Sequence, residues 1–99
     1  MPIYFLPISK KIIKKFDKHS QIEILKKIKE LEENQSLGER LKYELSDFYS
    51  LHFKKYRIVY FIRNGNIIIA YIGLRKKIYD DMKKKLKQIF KQIKSENLE

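Results

Sequence analysis

The apolar positions change period twice along this chain, and each change marks a new kind of element. Ile3 to Leu6 is a short apolar run between two prolines, the pattern of an edge strand. From Ser9 the spacing becomes helical, with Ser9 placed to cap a helix whose inward positions are Ile12, Ile13 and Phe16. A second start follows at once. Ser20 with Glu23 three residues on has the form of a capping box, in which each side chain satisfies a free amide of the other's turn. Leu25, Ile28 and Leu31, joined by Ile24, form the apolar stripe, while Lys26, Lys27, Lys29 and Glu30 stay wet. Residues 9–33 thus read as an antiparallel helical hairpin that ends between Asn34 and Gly38.

In the second half the period drops to that of strands. Phe48 to Phe53, Tyr56 to Ile62 and Ile67 to Ile72 are aromatic and β-branched runs, the composition that a half-buried sheet favours. Asn64-Gly65 is the strongest hairpin signal, because both residues tolerate positive φ in a type I′ turn. Lys54-Lys55 is a poorer turn between the first two of these runs. After Gly73 the helical period returns, and residues 76–95 carry a stripe of Ile78, Met82, Leu86, Ile89 or Phe90, and Ile93 among lysines. Asp80 and Asp81 stand in its first turns, where the helix dipole favours acids. The predicted order is β-α-α-β-β-β-α. That makes an α+β fold in which the helical hairpin packs on a mainly antiparallel sheet and a C-terminal helix follows.

Register then sorts the side chains. With Lys54-Lys55 as a two-residue turn, His52 faces Arg57; counted back from Asn64-Gly65, Arg57 also faces Ile72. Alternation puts Tyr49, Leu51, Phe53, Tyr56, Ile58, Tyr60, Ile67, Ile69 and Tyr71 on one face, suited to the helical hairpin. The other face holds Phe48, Ser50, His52, Arg57, Val59, Phe61, Ile68, Ala70 and Ile72, polar at the turn end and apolar at the far end. An apolar strip of that size has to be covered, either by the C-terminal helix or by a partner. Arg75 falls at the same end of the sheet as Lys54 and Lys55, and Tyr79 projects from that side one turn later. The local rules therefore bring His52, Lys54, Lys55, Arg57, Arg75 and Tyr79 together.

Ninety-nine residues amount to one domain with one modest core. With no cysteine there is neither a disulfide nor a thiolate metal site. No leader and no apolar run of membrane-spanning length is evident, so the cytoplasm is the expected compartment and no membrane role is expected. Lys and Arg number 23 against 12 Asp and Glu, a net charge of +11, which attracts polyanions or an acidic protein. Each candidate also has an ordinary explanation. Arg57 fits a plain ion pair with Asp47 or Glu44, Lys54 and Lys55 a solvated turn, His52 a satisfied imidazole, and Tyr79 a ring packed beside Ile78. Their convergence is what points to an anionic ligand, because clustered cations repel one another until an anion arrives.

The segments Gly38-Glu-Arg-Leu-Lys, Leu45 to Ile62 and Ile72-Gly-Leu-Arg-Lys-Lys-Ile-Tyr79 resemble the RelE/ParE toxin superfamily. In that family a gly-x-x-leu-lys segment leads into an aromatic-rich hairpin, and a third strand closes with gly-x-arg-lys-x-x-tyr. The resemblance spans essentially the whole chain and is most specific at Tyr56-Arg57-Ile58-Val59-Tyr60, Arg75 and Tyr79. It implies the toxin of a type II toxin-antitoxin pair, held silent by an acidic antitoxin that packs on the toxin sheet. The RelE-like branch cuts messenger RNA, typically on the ribosome, without metal or other cofactor. The resemblance assigns catalysis to Arg57, Arg75 and Tyr79. His52 stands where the family usually has arginine or lysine, Ser50 where some members have lysine, and Lys54-Lys55 replaces a frequent gly-asp turn. The chemistry expected is attack of the 2′-hydroxyl on its phosphate to give a 2′,3′-cyclic phosphate. Arg57 and Arg75 meet the charge on the phosphoryl oxygens, Tyr79 stacks on a base or moves a proton, and His52 serves in proton transfer. Lys54, Lys55 and Ser50 are expected to contact substrate, and Val59, Phe61, Ile68, Ala70 and Ile72 to meet the antitoxin. The ParE-like branch instead poisons DNA gyrase and lacks the ribonuclease site, and a degenerate relative would only bind its antitoxin.

Overall fold

A computed structural model describes residues 2–99. Its strands are β1 (Ile3–Phe5), β2 (Glu39–Arg40), β3 (Tyr49–Phe53), β4 (Tyr56–Arg63) and β5 (Asn66–Leu74). Its helices are α1 (Pro7–Lys14), α2 (Lys18–Glu33) and α3 (Ile78–Ser95). The sheet order is β1-β5-β4-β3-β2, antiparallel throughout except for β1, which runs parallel to β5. The expected α+β order holds, with the two-residue edge strand β2 added to it. No described helix is long and apolar enough to cross a membrane.

Both helix starts differ from the sequence expectation. α1 begins at Pro7, whose ring presets the helical φ at a position where no amide is needed. Ser9 is therefore inside the helix and fully buried, with its hydroxyl 2.8 Å from the Leu6 carbonyl and 3.0 Å from that of Ile69. The cap of α2 is Asp17, not Ser20: its carboxylate accepts from the Ser20 amide at 2.9 Å. An anion at a helix N-terminus gains from the dipole as well as from the bond. This frees Glu23 to meet His19 at 3.3 Å and Lys54 at 3.1 Å.

The sheet is buried on both faces. Ile24, Ile28 and Leu31 of α2 pack with Leu51, Phe53, Ile58, Tyr60, Ile67 and Ile69, while Leu25 turns out to be exposed. On the opposite face Ile78, Met82, Ile89 and Ile93 of α3 cover Phe48, Val59, Phe61, Ile68 and Ala70. Of the two alternatives for the α3 stripe, Ile89 is the buried one and Phe90 is half exposed.

One irregularity decides which side chains share a face. Asn64-Gly65 makes the expected turn, with φ of +52° and +77°. From there the pairing runs regularly to Tyr60↔Ile69, then shifts so that Val59 faces Tyr71. Ala70 is the extra residue of a β-bulge. Beyond it every β5 side chain changes face. Tyr71 packs on the α3 side, Ile72 enters the core under the helical hairpin, and Arg57 faces Gly73 instead of Ile72.

Gly38 precedes β2 with an ordinary φ of −81°, so it is needed for space and not for conformation. A Cβ there would overlap the hydroxyl of Tyr60, a ring that is fully buried and stacked on Tyr49. Gly38→Ala is expected to destabilise the fold by roughly 1–3 kcal/mol, the usual cost of overpacking. Removing the hydroxyl by Tyr60→Phe in the same chain is expected to recover only part of it, because the ring carbons Cζ and Cε1 would still lie 2.6 and 2.8 Å from the added Cβ. Denaturant midpoints of the single and double variants check this, and equal losses in both would refute the clash.

Candidate functional site

The polar residues that the sequence placed at one end of the sheet are built on β2, β3 and β4. Cross-strand pairing sets Glu39 opposite Ser50 and His52 opposite Arg57, all on the face that α3 covers further along. Arg57 is the anchor, with only 18% of its side chain exposed. Its Nη1 donates to the Ser50 hydroxyl at 2.9 Å and lies 3.4 Å from a Glu39 carboxylate oxygen. Ser50 is fully buried, and the other Glu39 oxygen is 3.2 Å from His52 Nε2.

The Arg57 Nε is buried and makes no hydrogen bond among the described residues. A buried donor of a charged group without a partner is costly, and it leaves the arginine incompletely satisfied. Gly73 puts no side chain of its own opposite Arg57, and the 18% of the Arg57 side chain that stays exposed is where an anion can reach it. Gly73 is itself confined: a Cβ there would come within 2.9 Å of the Tyr71 ring and 3.2 Å of the Asp81 carboxylate.

Glu39 is the member of this site that sequence reasoning missed. It lies in the Gly38-Glu-Arg-Leu-Lys segment, which shows no strand period, and only its pairing with Ser50 brings it to Arg57. It takes the place of Asp47 and Glu44 as the acid beside Arg57; Glu44 instead pairs with Lys83 at 3.5 Å. The hydrogen bond from His52, and then the bond and charge of Arg57, hold the Glu39 carboxyl below its ordinary value of 4.5. It is thus firmly ionised at neutral pH.

The other predicted residues surround this cluster without joining it. Lys54 and Lys55 form a two-residue turn, and the backbone amide of Arg75 donates to the Lys55 carbonyl at 2.8 Å. Lys54, Lys55, Leu74, Arg75, Lys76 and Lys77 line a depression of about 560 Å³. Tyr79 is half-buried, and its hydroxyl accepts from the Lys42 amide at 3.1 Å, which ties the first turn of α3 to the segment after β2. Neither Arg75 nor Tyr79 makes a hydrogen bond or ion pair to Arg57 among the described residues. No group of three or more His, Cys, Asp or Glu side chains suited to a metal occurs among those residues.

Residues 5–79 match the family described as the ParE toxin of the type II toxin-antitoxin system parDE. The chain belongs to this toxin family. Solved structures agree and place it in the wider RelE/ParE superfamily. A chain of the RelBE2 toxin-antitoxin complex from Mycobacterium tuberculosis superposes with a TM-score of 0.66 at 19% identity, over 75% of this chain and 96% of that one. The YoeB dimer from Staphylococcus aureus gives 0.61 at 28% identity, over 70% and 90%. HP0894 from Helicobacter pylori gives 0.55 at 18% identity, over 77% and 96%. At 18–19% identity the likeness to RelBE2 and HP0894 is one of fold. No curated protein matches the sequence significantly.

The lowered value for Glu39 has a consequence for this toxin's acid stability. A carboxylate favoured in the folded state contributes stability that is present above its ordinary value and lost as pH falls through its lowered one. Glu39→Gln is therefore expected to reduce stability at pH 7, and the difference from the parent is expected to shrink as pH drops below about 4.5. Urea unfolding at pH 7 and pH 3.5 measures this, and a difference that does not change with pH contradicts the assignment.

Proposed function

We propose that this toxin is a metal-independent RNA endonuclease. The observation that carries the reading is the Glu39–His52–Arg57–Ser50 cluster, an ionised acid and an imidazole held against a semi-buried arginine whose Nε is left unbonded. Glu39 takes the proton from a 2′-hydroxyl, and O2′ attacks the adjacent phosphorus. The P–O5′ bond breaks, and His52 delivers a proton to the leaving oxygen. Arg57 stabilises the charge gathering on the phosphoryl oxygens, a task for preorganised donors. Arg75 with Lys54 and Lys55 holds the strand from the cation-lined depression, and Tyr79 contacts it from the first turn of α3. The ribosome is the proposed setting, where the net charge of +11 favours encounter with RNA.

The family description favours a second reading, in which the chain acts as ParE-like toxins do and inhibits DNA gyrase. The two readings part on the same variants. Arg57→Ala and Arg75→Ala are each expected to lower cleavage at least ~100-fold, the scale of losing one transition-state donor, with folding little changed in Arg75→Ala. The measurement is mapping of RNA ends after incubation with translating ribosomes, alongside a gyrase supercoiling assay. Full toxicity in both variants together with inhibited supercoiling would establish the gyrase reading instead.

An acidic antitoxin is the proposed partner. The RelBE2 and YoeB–YefM neighbours were both solved as toxin-antitoxin complexes. Val59, Phe61, Ile68 and Ala70, the expected docking strip, lie buried under α3, and Ile72 is on the opposite face. An antitoxin that reaches the strip must displace α3. Hydrogen exchange is then expected to show α3 amides losing protection when the antitoxin binds, and unchanged protection there rules out docking on the strip.

A further inference from the structure

Tyr43 stands apart from every other tyrosine in the chain. The other six are buried or half-buried, whereas Tyr43 is 82% exposed. Its ring makes no aromatic or cation contact among the described residues. It also has a φ of +59°, in the left-handed region that bulky side chains rarely adopt. Surface position alone does not explain the residue, because a glycine or asparagine would sit there at lower cost in conformation, and any polar side chain at lower cost in hydration.

The backbone around it is held firmly. Leu41 and Leu45 are buried on either side of it. The Leu41 amide donates to the Phe48 carbonyl at 2.9 Å, and the Leu45 amide to that of Lys42 at 3.2 Å. The Tyr43 carbonyl itself accepts from the Ser46 amide at 3.1 Å. Glu44 next to it pairs with Lys83 of α3, and the Lys42 amide donates to Tyr79. The loop is therefore rigid and presents one bare aromatic ring to solvent. Strain kept in a rigid segment is a feature of binding and catalytic sites.

Its place in the chain ties it to the site. Glu39 is four residues earlier, which limits the separation of the two backbones to about 14 Å. Lys42, beside it, touches Tyr79. The ring thus stands on the segment that links Glu39 of β2 to the Tyr79 contact of α3. Arg40 and Lys42 are on the same segment, and the adjacent acid Glu44 is paired with Lys83 of α3. A flat ring on a cationic rim is the combination that single-stranded nucleic acid binds, because every base offers a face for stacking while the backbone meets the cations.

We propose that Tyr43 is a stacking platform for an unpaired base that flanks the scissile phosphate. This rests on the RNA-cleavage reading and adds to it a base-binding subsite outside the catalytic cluster. Stacking needs a flat face and no hydroxyl. Tyr43→Phe is therefore expected to behave as the parent, and Tyr43→Ala to bind single-stranded RNA about tenfold more weakly, within the usual range for one stacked base. The fold is not expected to suffer in Tyr43→Gly, which relieves the positive φ while removing the ring.

The test uses short single-stranded RNAs with one abasic nucleotide at successive positions around the mapped cleavage site, and affinities measured by fluorescence anisotropy. The parent is expected to lose about tenfold at one abasic position. Tyr43→Ala and Tyr43→Gly are expected to be indifferent to that same abasic nucleotide, with Tyr43→Gly at least as stable as the parent. Unchanged RNA affinity in Tyr43→Ala, with Arg57→Ala weakened, overturns the platform and leaves the RNA reading intact. Failure of the parent to bind any of the RNAs overturns both. A Tyr43→Ala variant that loses antitoxin affinity while keeping RNA affinity also overturns the proposal and makes the ring a protein anchor.

Discussion

The extra residue at Ala70 is the constraint on which the rest of this structure depends. A sheet covered on both faces has no solvent side onto which a misplaced side chain can be turned, so a one-residue shift in β5 has to satisfy two cores together. Before the bulge, Ile67 and Ile69 serve the helical hairpin while Ile68 and Ala70 serve α3. After it, Ile72 serves the hairpin and Tyr71 serves α3. Ala70 and Tyr71 thus face α3 consecutively, which the small alanine side chain makes possible. The bulge sits where α1 is fastened, since the carbonyl of Ile69 meets both the Leu6 amide and the buried Ser9 hydroxyl. Without the shift Ile72 would lie over Arg57. With it, a glycine does.

That displacement links the packing to the electrostatics of the site. Arg57 has lost most of its hydration, and a cation in that position needs an anion and well-placed acceptors to remain charged at tolerable cost. Glu39 and Ser50 supply them at Nη1, which leaves the buried Nε unbonded. The remaining cations of the region, on the Lys54-Lys55 turn and at Arg75 to Lys77, are exposed and hydrated and act mainly as a long-range field. The site therefore has one preorganised, partly desolvated charge and a diffuse positive rim. The first is suited to recognising a single phosphate, and the second to holding a chain of them.

How far the sequence could be read follows from the range of the interactions. The strand runs, the Asn64-Gly65 turn, the helical hairpin and the α3 stripe are set by local period and turn chemistry, and all were legible. So was the His52 to Arg57 pairing, which depends only on a two-residue turn. The start of α1 was misread because Ser9 looks like a cap until Ile69, sixty residues away, takes its hydroxyl. The bulge was invisible because Ala70 carries none of the glycine signal that often marks one. Glu39 was missed for a related reason: two residues of strand have no period, and the acid acquires its role only through pairing with β3.

The distribution of stabilising and reactive groups gives this toxin a particular economy. The hairpin and α3 bury nearly all the large aliphatic side chains against the three long strands, and none of those side chains takes part in the cluster at Arg57. The reactive groups sit instead on the edge strand β2, at the open ends of β3 and β4, and on the two segments that lead into and across α3. Edge strands and connections tolerate substitution better than the core, so the chemistry can vary while the fold stays in place. The exchange of a family arginine or lysine for His52, and of a gly-asp turn for Lys54-Lys55, fits that freedom. The exception is Arg57, which belongs to both sets: it closes the end of the sheet on the α3 face and carries the charge on which the site is centred. A residue with both duties is where loss of activity and loss of stability are hardest to separate, and the conservative replacement Arg57→Lys, which keeps the charge but not the fork, separates them best.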